Sequence, residues 1–123
     1  MLASFPINGF VQTTDTKRSR AFYVGVLGLT FVMENEYVAV FRNGASMIVA
    51  QKVEEFEPAP STVLGWEVPD IKATVALLTK AGVIFQRYDW MQQDALGIWD
   101  SPDSRVAWFK DPDGNVLSVS GGG

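Results

Sequence analysis

Val106-Ala-Trp-Phe-Lys-Asp-Pro-Asp-Gly-Asn-Val-Leu-Ser-Val-Ser120 consists of two apolar runs joined by Asp111-Pro112-Asp113-Gly114-Asn115. Proline presets one turn dihedral, glycine supplies a positive φ, and aspartate side chains accept hydrogen bonds from nearby backbone N–H groups. The join is therefore predicted as a turn and the whole as a β-hairpin. Side chains alternate faces along a strand. Val116, Ser118 and Ser120 should share one face with Val106 and Trp108, leaving Leu117 and Val119 on the other, apolar face.

Upstream of this hairpin, strands and helices alternate. Ile7 to Thr13 has strand character, and Thr14-Asp15 offers caps for a helix running to about Val24. Leu29 to Met33, Tyr37 to Phe41 and Ser46 to Ala50 follow as strands, separated by the polar Glu34-Asn35-Glu36 and by Asn43-Gly44. Lys52 to Ser61, with three glutamates and two prolines, reads as a linker tacked down by Phe56. Val63 to Val68 is then a strand and Asp70 a helix cap. Ile71, Thr74, Val75 and Leu78 form a helical stripe ended at Gly82, and Val83-Ile84-Phe85 is the next strand.

The two halves repeat. Asp15-Thr-Lys with Leu27-Gly-Leu-Thr-Phe31 matches Asp70-Ile-Lys with Ala81-Gly-Val-Ile-Phe85, and Val40-Phe-Arg-Asn-Gly44 matches Trp108-Phe-Lys-Asp-Pro-Asp-Gly114. Such a repeat implies two copies of one βαβββ unit, neither able to bury its sheet alone. The second copy is longer by an insertion, Asp89 to Ser104, carrying Trp90, Met91, Leu96, Ile98 and Trp99. Apolar content in a long loop fits a lid, an interface or a loop packed on its own domain.

Composition narrows the function. The 123 residues, 47% hydrophobic and 20% charged, suit one globular domain with a real core. A net charge of -4 argues against a nucleic-acid partner, and Lys17-Arg18-Ser19-Arg20 reads as a solvated helix face. No apolar run is long enough to span a membrane, and the N-terminus lacks the features of a signal peptide, so a cytoplasmic location is expected. The chain contains neither cysteine nor histidine. That removes thiolate chemistry, the commonest general acid/base and the commonest metal ligand together.

Arg20-Ala-Phe-Tyr23 with Val26-Leu-Gly28, Trp66-Glu-Val-Pro-Asp-Ile71 and the Asp111-to-Asn115 turn together resemble the vicinal oxygen chelate superfamily of glyoxalase I, bleomycin resistance proteins and extradiol dioxygenases. The resemblance covers nearly the whole chain. It implies an α+β fold in which two βαβββ modules form a curled, mostly antiparallel eight-stranded sheet around a central cavity. Module one is placed at about 5–52, the linker at 53–61 and module two at about 62–121 of a single domain, 1–123. Members commonly dimerise, so a homodimer is expected. Metal-using members draw one ligand from the first and one from the last strand of each module, which compares with Asn8, Ile48, Val63 and Ser118 here. None is a usual ligand. No metal site and no cofactor are therefore expected.

Strand parity puts Asn8, Phe10 and Gln12 on the face toward the implied cavity, and Val63, Gly65 and Glu67 on that same cavity face with the hairpin residues Val106, Trp108, Val116, Ser118 and Ser120. Asn8, Phe10, Gln12, Trp108 and Ser118, with Trp90 and Trp99 of the insertion, are the candidate ligand-binding residues. For Trp108, sheet-face packing and ligand stacking are both open. Glu67 is the one carboxylate on this face, either a solvent-exposed strand end or a candidate catalytic acid/base. The resemblance implies a metal-free small-molecule binding protein like the bleomycin resistance proteins, sequestering an aromatic or cationic antibiotic or metabolite. The alternative is a glyoxalase- or dioxygenase-like enzyme working without the usual metal through Glu67, with Tyr37 or Arg42.

Overall fold

The computed structural model describes residues 1–122. Contacts divide the chain into two compact units, Met1–Glu57 and a second beginning at Pro58, so the division falls within the Glu- and Pro-rich linker. Each unit builds its own four-stranded sheet around one helical segment.

In the first unit, a 3-10 turn (Leu2–Ser4) precedes β1 (Asn8–Thr13), α1 (Thr16–Arg20), β2 (Thr30–Glu34), β3 (Val38–Asn43) and β4 (Ser46–Lys52). The sheet order is β1-β4-β3-β2. The helix starts where Asp15 accepts a hydrogen bond from the Arg18 N–H at 3.1 Å, satisfying one of the donors left open at a helix start. It does not continue as one α-helix to Val24. After Arg20 it widens into a π-helix, Ala21–Val26, and the Leu27 N–H reaches back five residues to the Phe22 carbonyl at 2.9 Å. This segment holds Tyr23, fully buried and stacked on Phe41 with ring centroids 5.5 Å apart. Phe41 pairs with Ile48 and Ala39 with Ala50, all buried on the same face as Val11. At the sheet edge, Glu34 accepts hydrogen bonds from Lys52 and Thr16, each at 3.0 Å, which hold its carboxyl below the usual carboxylate range.

The second unit repeats the order: β5 (Leu64–Glu67), α2 (Ile71–Lys80), β6 (Trp99–Asp100), β7 (Arg105–Lys110) and β8 (Val116–Gly121), with sheet order β5-β8-β7-β6. Asp70 caps α2 through the Ala73 N–H at 3.1 Å. Ile71 and Val75 are buried from this helix, and Phe109 packs between Trp66 and Phe85 with centroids at 6.5 and 5.5 Å. The closing turn is held by Asp111, whose Oδ1 accepts from the N–H groups of Asp113 and Asn115 at 3.0 and 2.9 Å, while Gly114 takes φ +90°.

The α+β plan of two modules holds, while two expectations about strands change. The eight strands lie in two four-stranded sheets, each mostly antiparallel with one parallel pairing, between the first and last strands of the unit. That pairing follows from the helical crossover, which carries the chain from the first strand to the far edge of its sheet. Val83-Ile84-Phe85 is not a strand: Val83 and Phe85 turn inward to the core, and the Gln86 N–H alone reaches the Trp108 carbonyl, at 2.8 Å. The edge beside β7 is filled by Trp99–Asp100, out of the insertion. Finally, Ile48 is buried toward the core with Phe41, so it does not share a face with Asn8.

Candidate functional site

The strand registers sort the candidates onto sheet faces. In the first unit Asn8, Phe10 and Gln12 pair with Met47, Val49 and Gln51, on the face opposite Val11 and Thr13. All three are exposed, Phe10 to 55%. In the second unit Trp108 pairs with Ser118, Ser118 with Gly65, and Glu67 with Ser120. Trp108, Ser118 and Glu67 therefore share a face, as parity predicted. Gly65 keeps this face shallow, because a Cβ there would lie 2.8 Å from the Ser118 Oγ.

A cavity of about 230 Å³ opens within the second unit. Its walls come from three separated pieces of chain: Pro60 to Thr62 at the linker's end, Tyr88, Trp90 and Met91 at the start of the insertion, and Trp108 with Val116 on the hairpin. The aromatic rings are mutually braced. Tyr88 meets Trp108 edge-on at 5.8 Å and 87°, lies 5.9 Å from Trp90, and Trp108 is backed by Trp99 at 6.1 Å. The Trp108 indole N–H donates to the Thr62 hydroxyl at 3.1 Å, so the ring is fixed at one end by packing and at the other by a hydrogen bond.

The insertion is a built support. Gln93 is its hub, its amide donating to the carbonyls of Gln86 and Gly97, both at 2.9 Å, and accepting from the Tyr88 N–H at 2.8 Å. Asp94 accepts from the N–H groups of Leu96 and Ile98, both at 2.9 Å, and Ile98 is buried. Of the three readings of this segment, packing on its own unit describes these residues. Trp90 is the exception, left 77% exposed at the cavity's rim.

Trp90 and Trp108 thus line the cavity, and Trp99 stands behind Trp108. Ser118 lies opposite Trp108 but is not a lining residue, and neither is Glu67, an exposed residue at the end of β5. Asn8, Phe10 and Gln12 belong to the other unit. Sequence reasoning passed over Tyr88 and Thr62. A tyrosine two residues before Trp90 was the available signal for the first, whereas Thr62 had none, because its role depends on the register of a distant strand.

Two other cavities are polar. One of about 360 Å³ includes Lys72, Asp94, Asp100 and Arg105, but Arg105 pairs with Asp100 at 3.6 Å and Asp94 is spent on backbone N–H groups. The other, about 350 Å³, surrounds Asp15 and Lys52 at the start of α1.

The residues present do not fit a metal ion. Asn8 pairs with Met47 rather than Ile48, and Val63 lies just before β5, its N–H donating to the Val116 carbonyl at 2.9 Å, while Ser118 sits in β8 opposite Gly65. These side chains supply one amide and one hydroxyl, where a divalent ion needs several carboxylate, imidazole or thiolate donors. No group of three or more acidic, histidine or cysteine side chains placed to hold a metal ion occurs among the described residues. No helix among them is long and apolar enough to cross a membrane.

Residues 7–119 match the model of the glyoxalase/bleomycin resistance protein/dioxygenase superfamily. No curated protein sequence matches the chain. Similar solved structures include TnmS3, an antibiotic binding protein from Streptomyces sp. CB03234, at 21% identity, TM-score 0.74, and 100% and 99% coverage of this chain and that one. A glyoxalase family protein from Bacillus anthracis is 20% identical, with TM-score 0.74 and coverage of 96% and 94%. A lactoylglutathione lyase from Agrobacterium tumefaciens is 18% identical, with TM-score 0.70 and coverage of 97% and 94%. At these identities the likeness concerns the fold.

Proposed function

The chain belongs to the glyoxalase/bleomycin resistance protein/dioxygenase superfamily, and on that premise we propose that it is a metal-independent binding protein for a small aromatic molecule such as an antibiotic or metabolite. The observation that carries this reading is the braced Tyr88–Trp108 pair, which offers aromatic surface at the wall of a cavity otherwise formed by Trp90, Met91, Val116, Pro60 and the hydroxyls of Ser61 and Thr62. Mostly apolar walls with a few directional polar groups are what small-ligand recognition requires. The likeness to an antibiotic binding protein is consistent with it. Nothing in the surroundings of Glu67 favours the enzymatic alternative.

Titration with bicyclic aromatic probes, followed by tryptophan fluorescence, tests the reading. We expect Trp108→Ala to weaken binding by about 1 to 3 kcal/mol, as for loss of an aromatic anchor, and a chelator to leave the affinity unchanged. Unaltered affinity in a folded Trp108→Ala variant, or loss of binding on chelation, contradicts it. The reading includes a homodimer, supported by the exposed Phe5, Ile7, Phe10 and Tyr37. Light scattering at micromolar concentration should give about twice the 13.5 kDa chain mass; the mass of one chain removes the dimer.

A further inference from the structure

Resting on the proposed binding role of the second unit's cavity, we infer that Thr62 is its specificity-determining residue, donating its hydroxyl proton to an acceptor on a neutral, planar ring seated against Tyr88 and Trp108. The argument begins with hydrogen-bond capacity. An indole has one donor and no acceptor, and that donor is committed to the Thr62 oxygen at 3.1 Å. Trp108 can therefore offer a ligand only its ring. A threonine hydroxyl carries one donor and two lone pairs, so after accepting from Trp108 it still holds its own proton. Thr62 is exposed and lines the cavity, which places that proton where a ligand would sit.

The remaining walls define what that ligand is. No lining residue carries a charge. An anion would face the negative side of the aromatic rings, and a cation would meet those ring faces favourably but find no carboxylate to replace its lost hydration, so the walls favour a neutral molecule. The volume of about 230 Å³ lies below the roughly 300 to 1,000 Å³ of sites that enclose drug-sized molecules. It suits a two-ring compound or one such segment of a larger molecule. A ring carbonyl or ring oxygen is the acceptor that one fixed hydroxyl can address. Thr62 thus has two tasks: it orients the indole, and it separates an acceptor-bearing ring from a plain hydrocarbon of the same shape.

Coumarin and naphthalene separate these tasks, since both are planar and bicyclic but only coumarin carries acceptors. Their binding to the full chain is to be measured by ligand-observed NMR for the parent, Thr62→Val and Thr62→Ser, with tetramethylammonium as a cationic probe. The parent should prefer coumarin. Thr62→Val should lower the coumarin-to-naphthalene affinity ratio by roughly two- to tenfold, the loss of one hydrogen bond, and Thr62→Ser should restore it. Equal weakening of both probes by Thr62→Val would make Thr62 a support for the indole alone and overturn the inference while leaving the cavity a binding site. So would equal affinity of the two probes for the parent, or a preference for tetramethylammonium. Failure of every probe to bind the parent would overturn both the inference and the function on which it rests.

Discussion

The two units share one plan and differ at one face. Phe41 pairs with Ile48 in the first, and Phe109 with Leu117 in the second, all four buried. One residue earlier the equivalence ends. Val40 of the first unit corresponds to Trp108 of the second, and the short stretch that leads from the helical segment to β2 corresponds to the long one from α2 to β6, which brings in Tyr88 and Trp90 and delivers Trp99 at the start of β6. The core face of each sheet is constrained by packing against a helix and so stays alike, whereas the opposite face is free to take ligand-directed residues. The same scaffold thus appears once with Val40 and Val49 beside the mixed side chains Asn8, Phe10 and Gln12 on that face, and once with a braced aromatic wall.

The sharpest way to break this comparison is to truncate the paired phenylalanines. Phe41→Ala and Phe109→Ala each empty a fully buried site and should each cost about 3 to 5 kcal/mol. Denaturant melts of the two variants check it. A large loss from one and almost none from the other would mean that the units are not equivalent in the core.

A smaller effect distinguishes the strand ends. Gly121 occupies the place in β8 that Lys52 occupies in β4, yet a Cβ at Gly121 would lie 2.1 Å from the Val68 carbonyl oxygen. Backbone must move to admit even alanine. Gly121→Ala should lower stability by about 1 to 3 kcal/mol or somewhat more, whereas Lys52→Ala should cost less than about 1 kcal/mol, the scale of an exposed ion pair. Thermal melts that rank the two in the opposite order would contradict the close approach.

Much of the plan was legible because it rests on local chemistry. Asp15 and Asp70 cap helices as their positions predict, and the turn from Asp111 to Asn115 is closed by the side chain that suggests it. The repeat worked for the same reason, since Phe41 and Phe109 are matched by their immediate neighbours. What stayed hidden depends on distant partners. Val83 to Phe85 has the apolar content of a strand, but core packing claims two of its three side chains and the insertion supplies the edge strand instead. The assignment of Ile48 was one residue off, because a single step along a strand reverses the face, and the register puts Val49 opposite Phe10 as it puts Ser118 opposite Gly65. Trp90 and Trp108 were legible as large aromatics in informative places. Their companions Tyr88 and Thr62 were not, because nothing local joins residues 62, 88 and 108.

The central claim is that binding belongs to the elaborated second unit rather than to the plan both units share. Backbone amide NMR during titration with coumarin tests it most directly. The account predicts shift changes concentrated at Ser61, Thr62, Tyr88 to Met91, Trp108 and Val116. Changes centred on Asn8, Phe10 and Gln12, with the aromatic cavity silent, would contradict it.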